Sequence, residues 1–310
     1  MTMTADPDSN LRVGLIGLGN AGQAMLQALS AKLPLTVYDT NPERAGQMSV
    51  SGRFPPTVAA SARDVARNSE VVILSLPTPA ASLSVTEKIC SALGPRTILL
   101  ETSTVGPEDV EAIHAMVATK GTRVIDAAIV GGVHNLSSGN GLFLAGAQES
   151  EAGAAGAVLR AMSEKIFFLG RLGDGMRMKL IVNAVAHAVY VVLVEAGALA
   201  AAQNMPLAIF YELMQRETGL MRPLTHRFGE RLRENAFVGG MPTVNARKDS
   251  GLILETARAL GAPLFAIQAA HSVYELAVRE GLAELDYASV GQLWEKWLNI
   301  SFGQWEKLND

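Results

Sequence analysis

Cysteine and charge are the scarce resources of this 310-residue chain. It holds a single cysteine, Cys90, so it has no internal disulfide framework and no multi-cysteine zinc site. Its five histidines are scattered without metal-ligand spacing, and no metal is expected. Aromatic residues make up 5% and charged residues 18%, the latter below the roughly 25% of an average soluble chain. The net charge of −4 argues against nucleic acid or anionic lipid as an electrostatic partner. With 49% hydrophobic residues the chain is too apolar for disorder, and its length suits about two domains with sizeable cores. Cys90, on an expected helix, reads as a small buried hydrophobe.

The first ten residues, MTMTADPDSN, are polar and lack the apolar run of a signal peptide; they read as a disordered head. One apolar stretch, Leu180 to Ala202, is long enough to span a bilayer. It carries Asn183, His187 and Glu195, and a mid-span carboxylate is costly in lipid. A helix apolar nearly all round also suits the interior of a soluble protein. The expectation is therefore a cytoplasmic protein without a membrane partner. The stretch would be a buried spine between two domains and two subunits of a homodimer or homotetramer, with His187 as a hydrogen-bonded core histidine.

Up to about residue 169, β-rich runs alternate with helical patterns. Strands are expected at Arg12–Ile16, Leu35–Asp39, Val71–Leu76, Thr97–Glu101, Arg123–Asp126, Leu142–Ala145 and Ile166–Leu169. Helices are expected at Ala21–Ala31, Pro42–Met48, Ala60–Asn68, Ser82–Leu93 and Pro107–Ala118. Such alternation implies parallel pairing, an α/β Rossmann-type doubly wound sheet. From Gly173 onward only helical patterns follow. The domains are thus a head at 1–10, a dinucleotide-binding domain at 11–172, and an all-helical substrate and dimerisation domain at 173–310 that opens with a long interdomain helix. The active site is expected in the cleft between them, at the carboxyl ends of the strands.

The first strand runs into Gly17-Leu18-Gly19-Asn20-Ala21-Gly22, a helix follows, and Asp39 ends the next strand. GxGxxG alone is weak evidence; between strand and helix, with an acid 20 residues after Gly19, it has the context dinucleotide binding requires. The first glycine permits the tight turn, the second lets pyrophosphate approach the backbone, and the third lets helix and strand pack closely. The helix N-terminus adds partial positive charge. Asp39, followed by Thr40, would accept hydrogen bonds from the adenosine ribose and repel a 2′-phosphate, favouring NAD with NADP as the alternate. Arg44 would soften that preference if it turned inward; otherwise it is a solvated helix residue.

Lys179, Asn183 and His187 are spaced four apart and share one face of an otherwise apolar helix. A cation there needs a route to water or a chemical role. Here the chain resembles the β-hydroxyacid dehydrogenase family, the 3-hydroxyisobutyrate dehydrogenase, tartronate semialdehyde reductase and glyoxylate/succinic semialdehyde reductase type, from about Leu11 to Leu293. The motifs that carry the resemblance are GLIGLGNAG (Gly14 to Gly22), LSLPT (Leu74 to Thr78), ETSTVGP (Glu101 to Pro107), DAAIVGGV (Asp126 to Val133), GDGMRMKLIVN (Gly173 to Asn183) and ARKD (Ala246 to Asp249).

The resemblance implies hydride transfer between a nicotinamide cofactor and a 3-hydroxy acid or its semialdehyde. Lys179 would be the general acid/base, with Asn183 holding the substrate. Leu76, Pro77 and Thr104 would contact the cofactor, and Lys248 would lie near the nicotinamide end. Ser103 is a substrate-binding candidate, and Gly131 and Gly132 would present N–H groups to a substrate carboxylate. A free lysine has a pKa near 10.4, and burial beside apolar walls and neighbouring cations would lower it to a useful range. One departure matters: Val130 stands where the family usually has a serine that helps bind the substrate carboxylate. That puts the usual small hydroxy acid in doubt, and His134 and Asn135 are candidates to compensate.

Three rival readings remain. Decarboxylating phosphogluconate dehydrogenases usually carry histidine where Val182 stands, and no arginine cluster near the C-terminus points to a phosphate site. Imine reductases usually replace the lysine, so Lys179 disfavours them while Val130 leaves such an activity open. A non-catalytic NAD-binding sensor or scaffold would have no need for Lys179, Asn183 and the Lys248-Asp249 pair.

Overall fold

A computed structural model describes residues 11–46, 53–216 and 220–303; the ten-residue head lies outside them. The chain divides into two compact units, Met1–Asn183 and Ala184–Asp310.

The first unit is built on one eight-stranded sheet: β1 (Val13–Ile16), β2 (Leu35–Tyr38), β3 (Thr57–Val58), β4 (Val71–Leu74), β5 (Ile98–Glu101), β6 (Arg123–Val130), β7 (Gly141–Ala145) and β8 (Ser163–Phe168). Their spatial order is β3-β2-β1-β4-β5-β6-β7-β8. Pairing is parallel throughout except between β6 and β7, so the doubly wound sheet is mostly rather than wholly parallel. Its helices are α1 (Asn20–Ser30), α2 (Pro42–Gly46), α3 (Ala62–Arg67), α4 (Pro79–Ile89), α5 (Pro107–Val117), α6 (Val133–Ser137), α7 (Gly153–Met162) and the start of α8 (Asp174–Ala202).

The central strands β1 and β4 are short and buried at every position because both faces are covered. Along β4, Val71 and Ile73 enter one core with Leu15, Met25 and Leu100, while Val72 and Leu74 enter the other with Ile16, Val65 and Leu99. Each such side chain contributes about 1.5–3 kcal/mol over its exposed state. Local chemistry starts the helices: the Ser61 side chain accepts from Asp64 N ahead of α3, and the Thr78 side chain accepts from Ala81 N with Pro79 behind it ahead of α4.

Three elements were not foreseen. The two residues of β3 are too few to leave a pattern. The first two turns of α7 read Gly-Ala-Ala-Gly-Ala-Val, yet Ala155, Val158, Leu159 and Met162 bury one helical face. The single turn of α6 follows Gly131, whose φ of +90° lets the chain turn out of β6.

The second unit holds the remainder of α8, then α9 (Leu207–Gln215), a π-type segment Pro223–Leu232, α10 (Thr243–Ala259), α11 (Phe265–Ala277) and α12 (Gly291–Leu298). Among the described residues its only strand-like pairing is the isolated bridge between Pro242 and Asp286. Glu195 of α8 caps α11: its carboxylate accepts from Phe265 N at 2.8 Å and Ala266 N at 2.9 Å. The carboxylate that made this stretch improbable in lipid thus neutralises a helix N-terminus.

The expected spine is not buried within a single chain. Within the single chain most of α8 is exposed, including Ile181 (60%), Val185 (61%) and Tyr190 (69%). His187 is exposed rather than a core histidine. The apolar clusters of the second unit are small, centred on Leu232, Phe237 and Ala288 and on Leu254, Ala257 and Leu264. The second of them packs against α8 through Leu199.

Candidate cofactor pocket and lysine helix

The strand order reverses between β1 and β4, and a pocket of about 370 Å³ opens at their carboxyl ends. It is lined by Gly17, Gly19, Asn20 and Ala21 after β1, Asp39 and Thr40 after β2, and Ser75, Leu76 and Pro77 after β4. Most of the expected cofactor residues therefore converge. Two of the GxGxxG residues work from beneath: Leu18 is fully buried, and a Cβ on Gly22 would collide with the Gly17 carbonyl. Gly17 itself has φ +98° and packs against the Ser75 carbonyl, so only glycine fits there. A Cβ on Gly19 would meet no protein atom within 4 Å, which is the open approach a pyrophosphate needs.

The residues fit a dinucleotide. Gly19 provides no side-chain cap to α1, and the first turn of α1 holds no acidic residue, so its positive end faces the pocket uncompensated. Asp39 sits at the far rim, with Oδ2 accepting from Leu18 N at 2.7 Å and Oδ1 from Asn41 N at 2.8 Å. Arg44 turns inward: it lines the pocket and its Nη1 stands 3.5 Å from Asp39 Oδ2.

Ser103 is not an open ligand. It is buried, and its hydroxyl accepts from Leu76 N at 2.8 Å, bracing the pocket wall from behind. Thr104 is exposed and lies outside the pocket lining. Lys248 belongs to the second unit, where it is exposed and pairs with Asp249 at 3.0 Å.

The lysine helix is held by a residue that the motif reading passed over. Asp126, fully buried near the middle of β6, accepts from Gly173 N at 2.7 Å and Met176 N at 2.9 Å, capping α8 across 50 residues of chain. Burial raises its pKa, while those N–H groups oppose the rise. Gly175 is obligatory at this junction, because a Cβ there would strike the Leu144 carbonyl and the Asp126 carboxylate. Arg177 adds a tie to α5 through Glu111 at 3.0 Å. The signal in the sequence was an aspartate inside an apolar strand, which a buried cap explains.

One turn beyond the cap, Lys179 is half-buried, and burial alone lowers its pKa from the ordinary lysine value. Asn183, one turn further, is half-buried on the same face. Val130 ends β6 and is partly buried; Gly131 and Gly132 follow it exposed, with His134 and Asn135 exposed in α6. Among the described residues no group of His, Cys, Asp and Glu is arranged to hold a metal.

Comparison with known proteins agrees with this architecture. Residues 12–170 match the profile of the NAD-binding domain of 6-phosphogluconate dehydrogenase, and residues 173–294 match the NAD-binding profile of NADP-dependent 3-hydroxyisobutyrate dehydrogenase. The mitochondrial 3-hydroxyisobutyrate dehydrogenase of Drosophila melanogaster is 30% identical over 92% of this chain and 89% of its own. The NAD-dependent L-serine dehydrogenase of Pseudomonas aeruginosa is 29% identical over 92% and 98%. Among solved structures, a Mycobacterium tuberculosis 3-hydroxyisobutyrate dehydrogenase with L-serine is similar at TM-score 0.61 and 25% identity, covering 92% of this chain and 99% of its own. An imine reductase from Pseudomonas sp. superimposes at TM-score 0.80 and 20% identity over 91% and 98%, which shows the shared fold alone. With a dinucleotide pocket at the switch point and a lysine helix capped by Asp126, the chain belongs to the β-hydroxyacid dehydrogenase family of NAD(P)-dependent oxidoreductases.

Proposed function

We propose that this protein oxidises a 3-hydroxy acid, or reduces the matching semialdehyde, with Lys179 as general acid/base and NAD as the preferred cofactor. The observation that carries the reading is Lys179 itself, a half-buried lysine with a lowered pKa on a helix whose first turn is anchored to β6. When bound, a nicotinamide cofactor would supply the hydride-transfer chemistry. Lys179 takes the hydroxyl proton as the carbonyl forms and returns it in the reverse direction. Asn183 orients the same oxygen, and the backbone N–H groups of Gly131 and Gly132 receive the carboxylate. Val130 removes the hydroxyl partner that a small polar acid would use, so the substrate carries more apolar bulk near its carboxylate.

The charge of Asp39 favours NAD, and Arg44 at 3.5 Å partly cancels it, so discrimination against NADP is modest. The protein acts in the cytoplasm as a homodimer or homotetramer, a reading supported by the uncovered apolar surface of α8. Lys179→Ala is expected to lower kcat by roughly 10²-fold or more while NADH binding survives. Near-wild-type turnover by that variant across a panel of 3-hydroxy acids would overturn the assignment. Imine reduction without any hydroxy-acid oxidation would favour the imine reductase reading. Tight NAD binding with no turnover of either class would favour a sensor.

A further inference from the structure

Behind the cofactor pocket lies a buried acid that none of the chemistry above uses. Glu101, the last residue of β5, has no solvent exposure and pairs in register with Leu74 of β4 and Asp126 of β6. Its Oε1 accepts from Ser103 N at 2.8 Å, while its Oε2 is buried without a hydrogen-bond partner. Ser103 in turn accepts, through its hydroxyl, the N–H of Leu76 at 2.8 Å, and Ser82 Oγ of α4 stands 3.4 Å away. Leu76 and Pro77 form one wall of the dinucleotide pocket. A carboxyl, a serine and a wall peptide are thus connected in series. An orphaned buried oxygen is costly and calls for an explanation.

We propose that Glu101 is a positioning residue of the cofactor pocket, acting through Ser103 on the Leu76–Pro77 wall, and that its charge state sets how firmly the pocket holds a nicotinamide dinucleotide. Ser103 meets Glu101 through its backbone N–H, and its hydroxyl meets Leu76 N–H. The Ser103 N–H bond becomes charge-assisted when the carboxyl ionises, which fixes the serine whose oxygen accepts Leu76 N–H. When the carboxyl is protonated that bond weakens and the wall loosens.

Burial pushes the Glu101 carboxyl up to about 7, the hydroxyls of Ser103 and Ser82 oppose that shift, and the Asp126 carboxylate adds to it. The other elements packed around it offer no charge among their described inward residues. On the sheet face that Glu101 shares with Leu99, α4 presents Ser82 and Thr86, α5 presents Val110, Ile113 and Val117, and β4 presents Leu74. No histidine lines the pocket to titrate in the same range. The change between the two states therefore falls near neutral pH.

This inference rests on the dinucleotide pocket and not on the hydroxy-acid reading, so it is tested by binding alone, with no second substrate. NADH and NADPH dissociation constants are measured by cofactor fluorescence from pH 5.5 to 8.5 for the wild type, Glu101→Gln, Ser103→Ala and Lys179→Ala. The wild type is expected to bind several-fold more tightly at pH 8 than at pH 6, with its inflection near 7. Glu101→Gln keeps the acceptor for Ser103 N but has no charge to gain, so it should hold the weaker affinity at every pH. Ser103→Ala leaves Glu101 in place and cuts the series, so it should be equally flat. Lys179→Ala should keep the wild-type profile. A wild-type affinity independent of pH, or the wild-type inflection persisting in Glu101→Gln, would overturn the proposal. If Glu101→Gln does not fold, the Ser103→Ala profile decides: a retained inflection overturns the proposal and a flat one supports it. Absence of hydroxy-acid turnover would leave this result standing.

Discussion

Asp39 shows how much a single carboxylate can be asked to do. Its position at the end of β2 marks it as a ribose ligand, yet its two oxygens already hold Leu18 N and Asn41 N, so it also braces the glycine loop. Asp39→Asn keeps an acceptor for the loop and removes the charge that repels a 2′-phosphate. Its NAD-to-NADP ratio of kcat/KM should fall by about tenfold, the scale of one charge–charge contact near a surface. Arg44→Ala should move the ratio the other way. Steady-state kinetics with both cofactors decides the matter, and an unchanged ratio in both variants would remove Asp39 and Arg44 from cofactor choice.

Glu101 carries a second consequence at the same scale. Its folded pKa of about 7 lies above the ordinary 4.5, so the native state binds an extra proton between these values. Stability from this group is full below pH 4.5 and is lost as pH rises through 7, by about 3 kcal/mol in total. Glu101→Gln has no such loss. The Tm of the variant relative to wild type should therefore rise between pH 5 and pH 8. A difference independent of pH would show that the carboxyl stays at its ordinary value.

At the scale of elements, α8 depends on an anchor far away in sequence. The spacing of Lys179 and Asn183 predicted their shared face, but not what fixes the height and rotation of that face. Asp126 does so by capping the helix from β6, and Gly175 allows the close approach. Asp126→Ala leaves two buried N–H groups without an acceptor and should cost about 2–3 kcal/mol, visible in urea denaturation. It should also reduce kcat on the order of tenfold beyond any loss of folded protein, because a shifted lysine is a misplaced base. A variant with wild-type kcat and reduced stability would confine Asp126 to a structural role. The central strands β1 and β4 were legible because each buries both faces and so reads as a short apolar run. The turn of α6 and the Ala/Gly-rich α7 were not, because their helical state follows from packing and not from local preference.

Across the whole molecule the apolar surplus has an address. Ile181, Val185, Tyr190 and Val194 of α8, with Leu207, Ile209 and Tyr211 at α9, leave large side chains open to solvent in a single chain. α8 is long and apolar enough to cross a membrane by length and composition, but Glu195 is committed to the N-terminus of α11. A second copy of the chain is the cover proposed for this surface. Val185→Glu should shift the protein toward monomer in sedimentation or light scattering and lower its Tm. A variant that stays oligomeric, or a wild type that is monomeric at micromolar concentration, would refute that cover. Partition of the wild type into liposomes would revive the membrane reading.

The sequence by itself determined the doubly wound sheet, the glycine loop with Asp39, and the spacing that places Lys179 and Asn183 together. All of these follow from local periodicity or from short segments whose chemistry is complete within a few residues. Only the tertiary structure decided that Ser103 braces a pocket wall, that Arg44 turns to Asp39, that Asp126 caps α8 and that Glu101 is sealed beneath the cofactor pocket. Apart from the local turn of Arg44 towards Asp39, these depend on residues distant in the chain, and burial and pairing at such a place depend on which elements the fold makes neighbours.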